Sequence, residues 1–196
     1  MSSVIFTKTY EAPPVSERDI LRYAGAKVAD DELYNLLHLC LDEVEGKLVY
    51  RVCYREVTVR TEGTVCDLEV FRISSRDLAS HLDGCEHAIL FAATVGIELD
   101  RLITKYGRLS PARALMLQVI GAERIEALCD AFCTDLAKEY RTTARFSPGY
   151  GDLPLSYQKE LFAVLDCERK IGLTLTDSLL MLPTKSVTAI VGLGQL

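Results

Sequence analysis

Apolar residues recur along this chain with two periods, and the switches between them divide it into elements. Residues 1–15 read as extended, with Pro13 and Pro14 stopping any early helix. Ser16, followed three residues on by Asp19, resembles a capping box and opens a short helix through "ERDILRYAG". After Asp30 and Asp31, the positions Leu33, Leu36, Leu37, Cys40, Leu41 and Val44 return at threes and fours, an amphipathic helical stripe. From Lys47 the period falls to two. "LVYRVCYREVTVR" and "TVCDLEVFRI", joined through Thr61, Glu62 and Gly63, predict a β-hairpin.

A short helix, "SRDLASHLDG", then leads to a buried strand, "HAILFAATVG", and "IELDRLITKYGRL" restores helical spacing. Ser110 with Pro111 at the first helical position opens the longest helix, expected over 111–141 and kinked at Gly121. "SYQKELFAVLDCERKIGL" is helical and capped by Gly172. "LTLTDSLLMLP" and "SVTAIVGLGQL" read as strand or extended chain around a Pro183 turn. The sum is an α+β fold with a largely antiparallel sheet, and 1–196 is expected to form one domain.

Composition narrows the function classes. A net charge of −6 lacks the basic face that phosphates demand, so neither nucleic acid nor an anionic membrane is an expected partner. The first residues show no secretory pattern, and the longest apolar runs fall short of the about 20 residues that span a bilayer. The seven cysteines stand singly among apolar neighbours with no CxxC pair, which points to a reduced cytoplasm.

Candidate chemistry is sparse. His81, Asp83, Cys85 and His87 alternate and on one side of an extended chain could hold a zinc ion, but the Asp83-Gly84 pair marks a turn that breaks the alternation and favours a plain helix-to-strand turn. Cys129 and Cys133 lie four apart on the long helix without a second pair to complete a site. Asp130 interrupts an otherwise apolar stretch, whereas Asp135 and Glu139 are expected to face water. The terminal Gly-x-Gly has no following helix to cradle phosphate, and no GxSxG nucleophile exists. That leaves "RFSPGYGDLP". Pro148 fixes φ, Gly149 permits positive φ, Arg145 offers a planar fork for a carboxylate and Tyr150 a flat ring with a hydroxyl. A plain solvated interhelix loop and a ligand-approaching bend both fit these residues.

The same residues carry a resemblance. Arg145-Phe-Ser-Pro-Gly-Tyr150 resembles the Arg-x-x-Pro-Gly-Tyr signature of the activation domain of cobalamin-dependent methionine synthases, the domain that binds S-adenosylmethionine. "LDCERKIGLTLTDSLLML" and Pro183-Thr-Lys-Ser186-Val187 are similar to the segments that follow it there, so the likeness runs from about Asp130 to Val187. It implies that family's fold, a largely antiparallel sheet with a long helix and flanking helices. It also implies bound S-adenosylmethionine: Arg145 would pair the methionyl carboxylate, the backbone around Ser147 and Gly149 would touch the ligand, and Tyr150 would line its pocket. Asp130 stands where the family has a ligand-contacting glutamate, one methylene longer.

The chemistry so implied needs no acid/base pair. A flavodoxin-like donor reduces cob(II)alamin on a partner, and the methyl group then comes from S-adenosylmethionine, with the protein supplying alignment and water exclusion. The family's domain continues beyond the point where this chain stops at Leu196. The sequence carries no cobalamin-binding module of its own, and the expectation is a free-standing reactivation subunit for a cobalamin-dependent methionine synthase without its own activation domain, a component of a methyltransferase system. The alternative is a non-catalytic adaptor of a corrinoid protein with weak or no S-adenosylmethionine binding.

Overall fold

The run His87–Thr94 is apolar on both alternations, and the fold explains why. In the computed structural model, which describes residues 4–26 and 30–195, it is covered on both faces. (Positions 1–3 of the expected extended start, and Leu196, lie outside the described residues.) The elements in chain order are β1 (Phe6–Tyr10), α1 (Glu17–Tyr23), α2 (Asp31–Val44), β2 (Tyr50–Thr58), β3 (Arg60–Glu62), β4 (Val65–Asp67) and β5 (Arg72–Ser74). There follow α3 (Arg76–His81), β6 (His87–Thr94), α4 (Glu98–Leu109), α5 (Pro111–Leu136), β7 (Arg141–Thr142), α6 (Gln158–Leu165), α7 (Cys167–Ile171), β8 (Thr174–Leu175), β9 (Met181–Leu182) and β10 (Ser186–Gly194).

The main sheet has the order β1-β2-β6-β10-β7, with every pairing antiparallel. Ala88, Leu90 and Ala92 of β6 point to one face, where Leu161, Leu165 and Ile171 of α6 and α7 pack. Ile89, Phe91 and Ala93 point to the other, against Ile125, Leu128 and Phe132 of α5. Each fully buried Leu, Ile or Phe there contributes about 1.5–3 kcal/mol relative to exposure. A third cluster joins the front half of α5 to α1, α2 and α4 through Ile20, Leu37, Leu99, Leu117 and Ile120.

The α+β class and the antiparallel sheet are as expected, and three element bounds differ. β2 is central, with both edges taken by β1 and β6, so it cannot also pair with the following run. The expected hairpin shrinks to β3 and β4, which with β5 form a separate small sheet. The long helix stops at Leu136 because Arg141 and Thr142 turn back to pair with β10. The helix after the bend breaks at Asp166, whose φ of 48° is left-handed, and Gly172 (φ 71°) caps its second half as expected.

Gly121 lies within continuous α5 and serves close packing: a Cβ there would fall 2.2 Å from Leu99 Cδ2 of α4. Ser16 does cap α1, accepting from the Asp19 amide at 3.3 Å. Asp135 does not face water freely; it accepts from Lys8 (2.5 Å), Tyr10 (2.8 Å) and Lys138 (2.7 Å), pinning β1 to α5. Among the described residues no helix is long and apolar enough to cross a membrane.

Candidate functional site

Beyond α5 the chain returns along the outer edge of β10. Phe146 exchanges two backbone hydrogen bonds with Ile190, at 2.9 and 2.8 Å. Antiparallel pairing alternates, so Thr188 turns its backbone groups to this same edge. The next residue due there is Pro148, which has no N–H to donate, and the ladder ends. Ser147 to Tyr150 then form a turn in which the Tyr150 amide donates to the Ser147 carbonyl at 3.1 Å. Proline second and Gly149 third, with φ 95°, are the residues a type II turn requires.

The bend is held at both ends. His81 Nε2 meets the Ala144 carbonyl at 2.6 Å, and its ring packs on Phe146 with centroids 5.1 Å apart. Asp152 caps α3: its carboxylate accepts from the Ser75 hydroxyl, the Arg76 amide (2.9 Å) and the Asp77 amide (3.2 Å). The Ser75 hydroxyl leads these donors in holding the Asp152 carboxyl below the usual carboxylate range. The stretch is therefore a braced bend, not a solvated loop.

A cleft of about 360 Å³ lies along this edge. Arg145, Ser147, Pro148 and Tyr150 line it from the bend, Ser186, Val187 and Thr188 from β10, and Glu126, Gln158 and Met181 from α5, α6 and β9. Arg145 Nη2 bonds Glu126 at 2.8 Å and Asp130 at 2.9 Å. Burial disfavours the Arg145 charge, but the Glu126 and Asp130 carboxylates around it help outweigh that, and its pKa is raised. The Cys129 thiol is pushed up to about 12 by burial, so it stays protonated and unreactive. Tyr150 is 67% exposed beside the cleft. Two buried oxygens of the lining residues, Gln158 Oε1 and Thr188 Oγ1, have no hydrogen-bond partner among the described residues.

Of the five residues singled out in the sequence, Arg145, Ser147 and Tyr150 line one cleft. Gly149 shapes the turn behind them, and Asp130 meets the cleft only through Arg145. Glu126 was missed. It lies four residues before Asp130 on α5, one turn away, so helical spacing could have found it. Gln158 and Thr188 carry no local signal, since only the tertiary fold brings α6 to β10. The other candidates do not assemble: His81 serves the bend, while His87 pairs with Glu56 at 3.1 Å. A larger groove of about 630 Å³ runs between β1 and α2, but it is mainly apolar, and of its two arginines Arg51 is exposed while Arg124 is consumed by internal bonds.

The family model for the activation domain of vitamin B12-dependent methionine synthase matches residues 76–194. No curated protein matches the sequence significantly. Among solved structures the chain is similar to the MetH reactivation domain bound to AdoHcy, with a TM-score of 0.72 at 15% identity, covering 96% of this chain and 78% of that one.

Proposed function

Because the chain belongs to the family of vitamin B12-dependent methionine synthase activation domains, we propose that the cleft beside Arg145 binds S-adenosylmethionine for reductive methylation of a partner's corrinoid. In this reading the chain acts as a free-standing subunit on a separate cobalamin-dependent synthase, with a flavodoxin-like electron donor. The observation that carries it is a guanidinium set beside an open cleft, where a proline ends the strand ladder. The solved AdoHcy complex of a structurally similar domain supports it.

The residues present fit such a ligand. Arg145 uses one terminal nitrogen for both of its carboxylate partners and also reaches the Cys129 thiol, so its fork is only partly engaged and has donors left for an incoming carboxylate. Glu126 offers a negative group to the ammonium or the sulfonium, and the Tyr150 ring a face for the heterocycle. Bound there, S-adenosylmethionine would supply an activated methyl group on a positively charged sulfur, with a neutral thioether as the leaving group. The chain's residues fix the donor's direction and exclude water from it, an orientation effect worth several kcal/mol of barrier. No side chain has to move a proton.

One observation favours the adaptor reading: Arg145 already holds two carboxylates of its own. The Glu126 and Asp130 side chains are 44% and 71% exposed, however. Exposed pairs contribute only about 0–1 kcal/mol, less than the about 1.5–3 kcal/mol of a charge-assisted bond to a ligand. A ligand carboxylate can therefore compete for the guanidinium. The deciding assay mixes this chain with a corrinoid-loaded methionine synthase devoid of an activation domain, a reduced flavodoxin and methyl-labelled S-adenosylmethionine. Label transfer that needs the chain is expected. Reactivation by the chain without S-adenosylmethionine would establish the adaptor instead.

A further inference from the structure

We propose that Gln158 and Thr188 form the end of the cleft that recognises the adenosine half of the ligand, an inference that rests on the S-adenosylmethionine reading above. Both residues line the same cleft, Gln158 from the first position of α6 and Thr188 from β10. Gln158 is 6% and Thr188 2% exposed, and Gln158 Oε1 and Thr188 Oγ1 are without a hydrogen-bond partner.

Buried polar atoms are almost always paired, because an unpaired one keeps its full desolvation penalty. Here two such atoms, from elements that only the tertiary fold brings together, line a single cleft. Neighbouring polar side chains do not share the pattern: Ser186 in the same strand bonds both Thr94 Oγ1 and the Pro183 carbonyl, at 2.8 Å each. Among the described residues the other buried unpaired side-chain atoms are Arg55 Nε and Arg113 Nε, both on guanidinium groups away from the cleft, so Gln158 and Thr188 hold the two unpaired oxygens and both line it.

Charge divides the cleft. Glu126 and Arg145 supply its anion and its cation, the pair that an ammonium and a carboxylate require. Gln158 and Thr188 are neutral, and an amide oxygen accepts only from N–H or O–H. In S-adenosylmethionine the neutral donors are the exocyclic amine of adenine and the ribose hydroxyls. An amide is moreover the side chain that matches adenine's amine and neighbouring ring nitrogen together. Neither oxygen reaches solvent in this conformation, so contact with a ligand requires a side-chain shift at this end of the cleft.

The test uses Thr188→Val and Gln158→Leu, near-isosteric changes that delete the unpaired groups. Titration calorimetry with S-adenosylhomocysteine and S-inosylhomocysteine gives affinities, and thermal unfolding without ligand gives stability. For each variant, a Tm equal to or above wild type is expected, together with at least fivefold weaker binding of S-adenosylhomocysteine. Wild-type preference for the adenosyl over the inosyl compound, lost in Gln158→Leu, assigns the contact to the amine. Equal weakening of both compounds assigns it to a ribose hydroxyl. Unchanged affinity in both variants while wild type binds overturns this inference alone. A wild type that binds neither compound overturns it together with the cofactor reading.

Discussion

Arg124 and Arg145 both lean on carboxylates of the same helix, yet one is built into the frame and the other faces a cleft. Arg124 is 2% exposed at its side chain. It forks onto Glu123 at 2.5 and 2.7 Å and donates to the carbonyls of Pro13 and Pro14 at 2.5 and 2.7 Å. Glu123 in turn accepts the Ser16 amide at 2.9 Å, so this cluster ties the N-terminal segment to α5 with its charges fully used. Arg145 is 23% exposed, its partners Glu126 and Asp130 are 44% and 71% exposed, and its fork is only partly engaged. An ion pair therefore does not mark a site or exclude one. What matters is whether solvent, and so a ligand, can compete for the charge.

The sharpest way to break the comparison is Arg124→Ala. It leaves Glu123 buried without a counter-charge, which should cost about 3–5 kcal/mol; urea denaturation, or loss of soluble protein, reads it. Replacing the pair together, Glu123→Gln with Arg124→Met, should cost clearly less than the two single changes added. Arg145→Ala should do the reverse. Stability should move by no more than about 1 kcal/mol, because the lost pairs are exposed. Binding of S-adenosylmethionine should weaken by about 1.5–3 kcal/mol, roughly 10- to 150-fold.

Gly149→Ala sits between them. Its φ of 95° and a Cβ only 3.3 Å from Leu155 Cδ1 strain the bend, at a cost of about 1–3 kcal/mol that thermal unfolding should show. The smallest effect belongs to Asp135. Hydrogen bonds from Lys138, Lys8 and Tyr10 hold its carboxyl well below the ordinary 3.8. A lowered folded pKa means that its stabilisation is present above that ordinary value and fades as pH falls below it. Wild type should therefore lose about 1 kcal/mol more than Asp135→Asn between neutral pH and the strongly acid range, checked by denaturation at each pH.

Much of this contrast was hidden in the sequence. Local signals did their work where local physics decides: the Ser16 cap, the left-handed Gly172, the apolar β6 and the Pro148-Gly149 turn all stand as their residues require. The motif around Arg145 brought four cleft-lining residues together. Burial of charge was not legible, because nothing in "GAERIEALCD" separates Arg124 from a solvent-facing arginine. Asp135 was misplaced for the same reason, since its partners Lys8 and Tyr10 arrive from the far end of the chain. The β2 hairpin was overextended because alternation reveals a strand but not which neighbours occupy its edges.

Calorimetric titration of S-adenosylmethionine into wild type and Arg145→Ala, at equal folded fraction, addresses the central claim most directly. Saturable binding by wild type, weakened at least tenfold in the variant with stability nearly unchanged, is the expected result. No heat of binding at millimolar ligand, or the same dissociation constant for both proteins, would contradict it.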